Sequence, residues 1–308
     1  MGPLAAFVLG IVEGLTEYLP VSSTGHLVLV GHLLGLEGDA ASSFEIIIQL
    51  GALLAVVAHY RVLLLQHAGG LFRGARASRD LVIALFVAFL PVAIVGLLLR
   101  KTIKRLLFGP MPVAIALIVG GVVMIAWSFY RRGKTLGHEG PGLSGLEHVT
   151  PKRALIVGLG QCFSLWPGTS RSMCTILAGE LAGLSTATAA EFSFLVALPT
   201  LGAATVYEML KSWKSMAGAI APLELAIGLV VSFLVAWAVI AAFLRYLTKF
   251  GLAPFGVYRV IVGVAVIVVL GRLRRLGGRS KSSQPSGADP LAAAGPSGSE
   301  RHALRCVR

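Results

Sequence analysis

The stretch VEGLTEYLPVSSTGHL (residues 12–27) places two carboxylates, a proline, two adjacent serines and a histidine inside an apolar segment. A helix that crosses a bilayer finds no water for unpaired backbone groups or charged side chains, so polar groups at this depth are costly. Irregular backbone is tolerated there only inside protein or beside a water-filled cavity. The stretch therefore predicts a membrane helix that is broken at a buried polar site.

The composition of the whole chain excludes a soluble domain. Its 308 residues are 56% hydrophobic and only 13% charged, which is too little charged surface for a soluble protein of this length. The net charge of +13 comes from basic residues that lie between apolar runs, as at RKTIKR (100–105) and RRGK (131–134). Basic residues in that position are typical of membrane flanks. The sequence indicates a polytopic membrane protein that lies in the bilayer and has no nucleic-acid partner.

Apolar runs of near the ~20 residues that a bilayer core requires predict six transmembrane helices. These lie at about 44–64, 81–99, 111–130, 188–210, 222–244 and 254–271. Two further segments, 4–35 and 153–184, are interrupted by LPVSSTG (19–25) and WPGTSRS (166–172). Because broken backbone at membrane depth must be buried or wet, we interpret both as re-entrant helix–loop–helix hairpins.

The two interruptions indicate an internal repeat. Pro20 and Pro167 lie 147 residues apart (167 − 20), and Ser23 and Ser170 have the same separation (170 − 23). Three spans lie between the hairpins, so the hairpins enter from opposite faces and their tips meet near the midplane. The predicted fold class is an all-α polytopic membrane protein with six transmembrane helices and two re-entrant hairpins in an inverted-topology repeat.

The predicted boundaries follow from this repeat. A single membrane domain spans 1–276, with repeat one at about 4–130 and repeat two at about 153–272. Residues 277–308 are rich in glycine, serine, proline and alanine and show no apolar periodicity. Such a composition predicts a disordered C-terminal tail.

Glu13 and Glu17 are four residues apart and therefore share one helix face. A buried carboxylate pair needs a cation, a shared proton or a basic partner to offset its desolvation. Carboxylate oxygens suit a divalent cation such as Mg²⁺ or Ca²⁺, and the pair can also supply an acid and a base.

The serine pair follows Pro20. One of Ser22 and Ser23 caps the helix that begins near Thr24, which leaves the other hydroxyl free. His26 lies three residues beyond Ser23, so both side chains can face one point. A hydroxyl beside a base is the minimum of an activated nucleophile.

The second interruption, PGTSRSMCT (167–175), supplies groups that bind an anion. Free N–H groups at a helix start favour a phosphate, and an arginine there can bind it bidentately. Together the two loops favour phosphoryl transfer, which depends on positioning and charge neutralisation. The predicted phosphate-binding residues are Ser22, Thr24, Ser170, Arg171, Ser172 and Thr175.

At these residues the sequence resembles the bacterial undecaprenyl-diphosphate phosphatases of the bacitracin-resistance type. The resemblance covers about residues 5–272 and rests on EGLTEYLPVSSTGHL (13–27), FEIIIQLGALLAV (44–56), WPGTSRSMCT (166–175) and EFSFLVALP (191–199). It implies a multi-pass enzyme of the bacterial inner membrane whose active site faces outward. That enzyme would convert a polyprenyl diphosphate lipid to the monophosphate carrier used in cell-wall synthesis, with an effect on bacitracin resistance.

The resemblance matches the site residues to paired acids, a serine pair, a histidine and an arginine motif. Our hypothesis makes Ser23 the nucleophile, with Glu17 or His26 as base and Arg171 on the phosphate. His26 as the nucleophile is the main variant, and Glu13 and Glu17 are the predicted metal ligands. The rival function is a lipid-phosphate transporter or flippase that uses the same midplane site. A second copy of the chain, in a homodimer, is a further candidate partner.

Overall fold

The computed structural model describes residues 1–36, 38–107, 109–135, 142–216 and 221–282. Four of the helices begin at a proline, whose missing N–H and fixed φ suit the first helical position. Within these ranges the chain forms eleven α-helices and two 3₁₀ turns, Leu146–His148 and Cys162–Leu165. The α-helices are α1 (Pro3–Thr16), α2 (Ser23–Leu33), α3 (Asp39–His59), α4 (Arg61–Phe72), α5 (Arg76–Leu106), α6 (Pro110–Thr135), α7 (Pro151–Gln161), α8 (Arg171–Leu181), α9 (Thr186–Met216), α10 (Pro222–Phe250) and α11 (Ala253–Ser282).

Five of the described helices are long and apolar enough to cross a membrane, and a bent pair supplies a sixth candidate. These five are Arg76–Leu99, Pro110–Arg131, Thr186–Lys211, Pro222–Phe250 and Ala253–Leu270. They confirm a polytopic membrane protein and match the second to sixth predicted spans.

The first predicted span, 44–64, differs from the structure. The chain bends by 73° between α3 and α4, so residues 61–64 belong to another helix. The 21 residues of α3 rise about 31 Å at ~1.5 Å each, which already matches a bilayer core. The turn comes at Tyr60, directly before the basic Arg61.

Two hairpins form where the sequence predicts them. Helices α1 and α2 pack together, as do α7 and α8. These helices have 11 to 14 residues and rise about 16 to 21 Å, so none of them is long enough to cross the ~30 Å core by itself, as expected for re-entrant hairpins. With the bent pair counted as one crossing, three crossings separate the hairpins.

The two halves pack against each other in a symmetric pattern. Helices α1 and α3 of the first half contact α10, and their counterparts α7 and α9 contact α5. Glycines permit the closest approaches: an added Cβ at Gly14 would lie 2.7 Å from Val235 Cβ on α10, and one at Gly158 would lie 2.5 Å from the Ala88 carbonyl oxygen on α5. Small residues let helix backbones approach in a membrane. This exchange of contacts is what an internal repeat produces.

Helix α11 runs six residues beyond the predicted end of the membrane domain at 276. It ends at Ser282, so residues 277–282 are helical although the sequence predicts disorder from 277. The rest of the predicted tail lies outside the described residues. Contacts between Cα atoms group the chain into a compact unit, Met1–Ile267, and a second unit, Val268–Arg308. All the site residues belong to the first unit.

Candidate active site

The two hairpin loops end in the same unusual backbone conformation. Ser22 has φ 76° and caps α2 by accepting a hydrogen bond from Gly25 N, while Ser170 has φ 78° and caps α8 by accepting one from Met173 N, each at 3.3 Å. Positive φ is uncommon and strained for a residue other than glycine. Finding it at both caps indicates that the two loops are structural repeats.

The caps correct the register of the repeat. The sequence pairs Ser23 with Ser170 at a separation of 147 residues. The shared cap conformation instead pairs Ser22 with Ser170, at a separation of 148 residues (170 − 22). The second loop holds one more residue between its proline and its cap serine. Ser23 and Arg171 are therefore equivalent, each as the first residue of its helix.

The carboxylate of Glu17 joins these two equivalent residues. Ser23 Oγ donates a hydrogen bond of 2.5 Å to Glu17 Oε2, and Arg171 Nη2 donates one of 3.1 Å to Glu17 Oε1. Both members of the ion pair are nearly buried, with side-chain exposures of 9% for Arg171 and 5% for Glu17. A hydroxyl held by a carboxylate is poised to lose its proton, and a buried guanidinium beside it can bind an oxyanion.

Further contacts fix the orientation of Arg171. Its Nη1 donates to the Ser193 carbonyl oxygen at 2.9 Å, and its guanidinium carbon lies 5.9 Å from the centre of the Tyr18 ring. The buried Nε has no hydrogen-bond partner among the described residues. Buried donors are rarely left unpaired. The side chain also lines the cavity described next.

A cavity of about 420 Å³ lies in front of Ser23, Glu17 and Arg171. Both helix starts reach it, so the free N–H groups of two helices point at one place. Its lining includes Ile103 and Glu208, which lie toward the C-terminal ends of α5 and α9. Six predicted site residues line it: Glu17, Ser22, Ser23, Thr24, Ser170 and Arg171. The other lining residues are Ile46, Gln49, Val92, Gly96, Ser164, Leu165, Pro167, Gly168, Thr200, Leu201 and Ala204.

Two predicted phosphate ligands lie behind the second loop instead. Ser172 Oγ donates to the Leu19 carbonyl oxygen at 2.9 Å and so joins the two loops. Thr175 Oγ1 lies 2.6 Å from Ser193 Oγ and donates to the Arg171 carbonyl oxygen at 2.9 Å. Neither lines the cavity, because both side chains face the packed interior of the loop. Their hydroxyls position the residues that do line it.

His26 also faces away from the cavity. Its Nδ1 lies 2.8 Å from the Ser22 carbonyl oxygen and its Nε2 lies 2.9 Å from Tyr258 Oη, with the two rings stacked. The structure therefore does not bring His26 to the Ser23 hydroxyl, although three-residue spacing on a helix suggests that it could. The reason is the turn of α2, which directs Ser23 toward Glu17 and His26 toward α11.

Glu13 lies one helical turn before Glu17 and is fully buried. Both of its carboxylate oxygens lack a hydrogen-bond partner in the described part of the chain. Across the same residues no group of three or more His, Cys, Asp or Glu could by itself hold a metal ion. Glu17 lines the cavity and Glu13 does not. Carboxylate oxygens are the donors that a hard cation takes from a protein, and Mg²⁺ is commonly held by one or two of them.

Two residues of α11 that support the loops were not predicted from the sequence. Tyr258 contacts His26, and Arg259 binds carbonyl groups of both loops. The available signal was an arginine inside the otherwise apolar run GVYRVIVGVAV (256–266). An ionisable residue within a span usually faces the bundle interior and has a function.

Comparison with known proteins gives a consistent result. The family model described as bacitracin resistance protein BacA matches residues 6–265. An undecaprenyl-diphosphatase of Sorangium cellulosum is 54% identical over 263 residues, which cover 85% of this chain and 84% of the relative. An undecaprenyl-diphosphatase of Thermoanaerobacter pseudethanolicus is 45% identical over 269 residues, which cover 87% and 96%.

The family model extends across the two hairpins and every candidate site residue. The chain belongs to the bacitracin resistance protein BacA family.

Proposed function

We propose that the protein hydrolyses undecaprenyl diphosphate to undecaprenyl phosphate and inorganic phosphate. The observation that carries the proposal is the chain of hydrogen bonds from Ser23 through Glu17 to Arg171, at the wall of a cavity where two helix starts meet. It combines a nucleophile, a base and an anion-binding group. The relatives named undecaprenyl-diphosphatase support the choice of substrate.

In the first step Ser23 Oγ attacks the terminal phosphorus, and Glu17 Oε2 takes its proton. A P–O bond forms at Ser23 while the bond from the same phosphorus to the bridging oxygen breaks. Undecaprenyl phosphate leaves with that electron pair. Arg171 and the first amides of α2 and α8 stabilise the charge on the non-bridging oxygens.

In the second step water attacks the phosphoserine. Glu17, which has passed its first proton to the leaving phosphate or to solvent, accepts a proton from the water. The bond between phosphorus and Ser23 Oγ breaks, Glu17 returns its proton to Ser23 Oγ, and inorganic phosphate leaves. Glu17 is assigned as base in both steps because it holds the Ser23 hydroxyl at 2.5 Å, whereas His26 contacts Ser22 and Tyr258.

Glu13 and Glu17 would hold a divalent cation such as Mg²⁺ or Ca²⁺ together with diphosphate oxygens. When bound, the cation would offset the repulsion between the carboxylates and the substrate. Both Glu13 oxygens are open to such a role because neither has a hydrogen-bond partner among the described residues.

The residues that line the cavity suit an amphiphilic substrate. Apolar residues such as Ile46, Val92 and Leu201 line it beside the polar loop ends, so a diphosphate can reach Ser23 while the isoprenoid chain stays in an apolar environment. The cavity extends toward the ends of α5 and α9. We assign that face to the outer side of the bacterial inner membrane. The product would then be recycled for cell-wall synthesis, which would oppose bacitracin.

Replacing Glu17 by glutamine should lower phosphate release by about 10²- to 10³-fold, because the amide cannot accept the Ser23 proton. The measurement is phosphate released from undecaprenyl diphosphate by purified protein in detergent. Glu147→Gln is the matched control, since Glu147 lies on an exposed turn with 72% of its side chain accessible. A Glu17→Gln enzyme with wild-type turnover would contradict the assignment of the base.

Removal of divalent cations by a chelator should suppress phosphate release, and Glu13→Gln should raise the cation concentration needed for half-maximal rate by about tenfold. A neutral amide is a weaker ligand for Mg²⁺ than a carboxylate. The titration is made with Mg²⁺ and with Ca²⁺ on both proteins. An unchanged titration curve for Glu13→Gln would remove Glu13 from the metal site.

The alternative is a lipid-phosphate transporter or flippase built on the same inverted repeat. Transport requires no hydroxyl held by a carboxylate, whereas Ser23 and Glu17 form that pair here. Phosphate release in detergent separates the two functions, because a pure transporter would release none.

A further inference from the structure

Arg259 is a buried cation on α11 that has no exposed surface. A guanidinium has five N–H donors, and each of the five is directed to a backbone carbonyl oxygen. Nε donates to Leu117, Nη1 to Pro20 and Thr169, and Nη2 to Ala116 and Gly168, at 2.8 to 3.3 Å. No carboxylate pairs with it in the part of the chain that the structure describes.

These five carbonyl groups belong to three separate segments. Pro20 lies in the first hairpin loop, Gly168 and Thr169 lie in the second, and the remaining two lie on α6. Buried carbonyl oxygens that lose their partner carry a desolvation cost. One side chain therefore fixes both loops to each other and to a transmembrane helix.

The contacts are placed directly before the two caps. Thr169 precedes the cap Ser170, and Pro20 lies two residues before the cap Ser22. Both caps have positive φ, a conformation that persists only when its surroundings hold it. Arg259 binds the carbonyl oxygens on the back of each loop. The amide N–H groups at the start of the following helix therefore stay directed at the cavity. Arg259 thus acts on the side of the loops opposite the substrate.

We propose that Arg259 is a positioning residue for phosphoryl transfer, which holds Ser23 with Glu17 on one loop and Arg171 on the other in their reactive arrangement. This inference rests on the proposed function. Arg259 contacts none of the residues whose side chains are proposed to bind the phosphate. Loss of Arg259 should therefore lower turnover more than it weakens substrate binding. A misplacement of about 1 Å at a reacting group can cost about 10²-fold in rate.

Lysine cannot replace this group. Its ammonium keeps the charge but has three donors, so at least two of the five carbonyls would lose their partner. Gly120 on α6 offers an independent way to disturb the same contact. An added Cβ there would collide with Arg259 Nη2 and lie 2.8 Å from Cζ. Gly120→Ala therefore displaces the guanidinium while every charged residue and every residue lining the cavity is kept.

The experiment compares Arg259→Lys and Gly120→Ala with two controls. Gly202→Ala places a methyl group in a membrane helix where its nearest neighbour, Leu53 Cδ2, is at an ordinary 3.7 Å. Arg272→Lys changes an exposed arginine of α11. Turnover of undecaprenyl diphosphate is measured per folded protein, with folding followed by size-exclusion chromatography and Tm. We expect both test variants to lose about 10- to 100-fold in kcat, with KM within about threefold, and both controls to match the wild type.

Chemical rescue separates positioning from a purely structural role. Arg259→Ala leaves a buried space lined by five carbonyl oxygens. Free guanidinium fits this space and can donate to all five, whereas methylammonium has only three N–H donors. Guanidinium at concentrations far below denaturing ones should restore part of the lost kcat, and methylammonium should not. If the Arg259 variants fail to fold, Gly120→Ala decides the question.

Wild-type kcat per folded protein in Gly120→Ala, or in Arg259→Lys, would overturn the proposal and leave Arg259 as a stabilising residue only. A wild-type protein that releases no phosphate would instead overturn the proposed function. The two failures are therefore distinguishable in the same assay.

Discussion

Ser23→Ala should lower phosphate release by at least about 10⁴-fold, because the proposed nucleophile is lost and only binding and electrostatic stabilisation remain. The fold should tolerate the change, since alanine is smaller and α2 is capped by Ser22 and not by Ser23. The measurement is steady-state turnover of undecaprenyl diphosphate by purified protein. Ser128→Ala is the matched control, because Ser128 Oγ donates to the Met124 carbonyl oxygen within α6 and Ser128 does not line the cavity.

If His26 were the nucleophile, the effects of the two substitutions would be reversed. His26→Ala should cost less than about tenfold, because it removes one hydrogen bond to Ser22 and one to Tyr258. If Ser23→Ala kept most of the turnover and His26→Ala lost it, the nucleophile would be His26. Rapid quenching with labelled substrate, followed by location of the phosphorylated residue, tests the same point directly.

The sequence predicts the hairpins and the candidate site residues of their loops because polar residues of this kind are rare in a membrane segment. Carboxylates, hydroxyls and prolines stand out in an apolar background, and a helix start after each proline follows from capping rules. Six of the predicted site residues line the cavity, Ser23 and Arg171 among them, whereas Ser172 and His26 lie equally near the breaks and do not. The pattern could not give the register of the repeat, since the extra residue of the second loop is visible only in the backbone of the caps.

Side-chain direction is the part that spacing alone could not predict. His26 and Ser23 are near each other in sequence, yet the turn of α2 directs them to different partners. Arg259 lies more than 80 residues from the second loop, and its contacts depend on how α11 packs. The bend at Tyr60 likewise has no proline or glycine at the break to mark it. These features follow from tertiary packing and not from local propensity.

Arg171→Lys should lower kcat/KM by about 10³-fold even though the positive charge is kept. The guanidinium of Arg171 bonds to Glu17 and to the Ser193 carbonyl oxygen at the same time, and the side chain also lines the cavity where the phosphate would bind. An ammonium is a compact point charge without this planar fork, so it can serve the carboxylate or the phosphate but not both in the same geometry. Transition-state stabilisation by a single arginine in phosphoryl transfer is worth about 10³- to 10⁵-fold.

Arg153→Lys is the matched control for this change. Arg153 also donates to backbone carbonyl oxygens, those of His148 and Ala182, but it lies outside the cavity. Its substitution should lower Tm and leave kcat/KM per folded protein unchanged. An Arg171→Lys enzyme with near-wild-type turnover would mean that charge alone suffices at this position. The loss predicted here requires instead that Arg171 hold Glu17 and the phosphate together, because only then do the nucleophile, the base and the leaving phosphate stay aligned during the reaction.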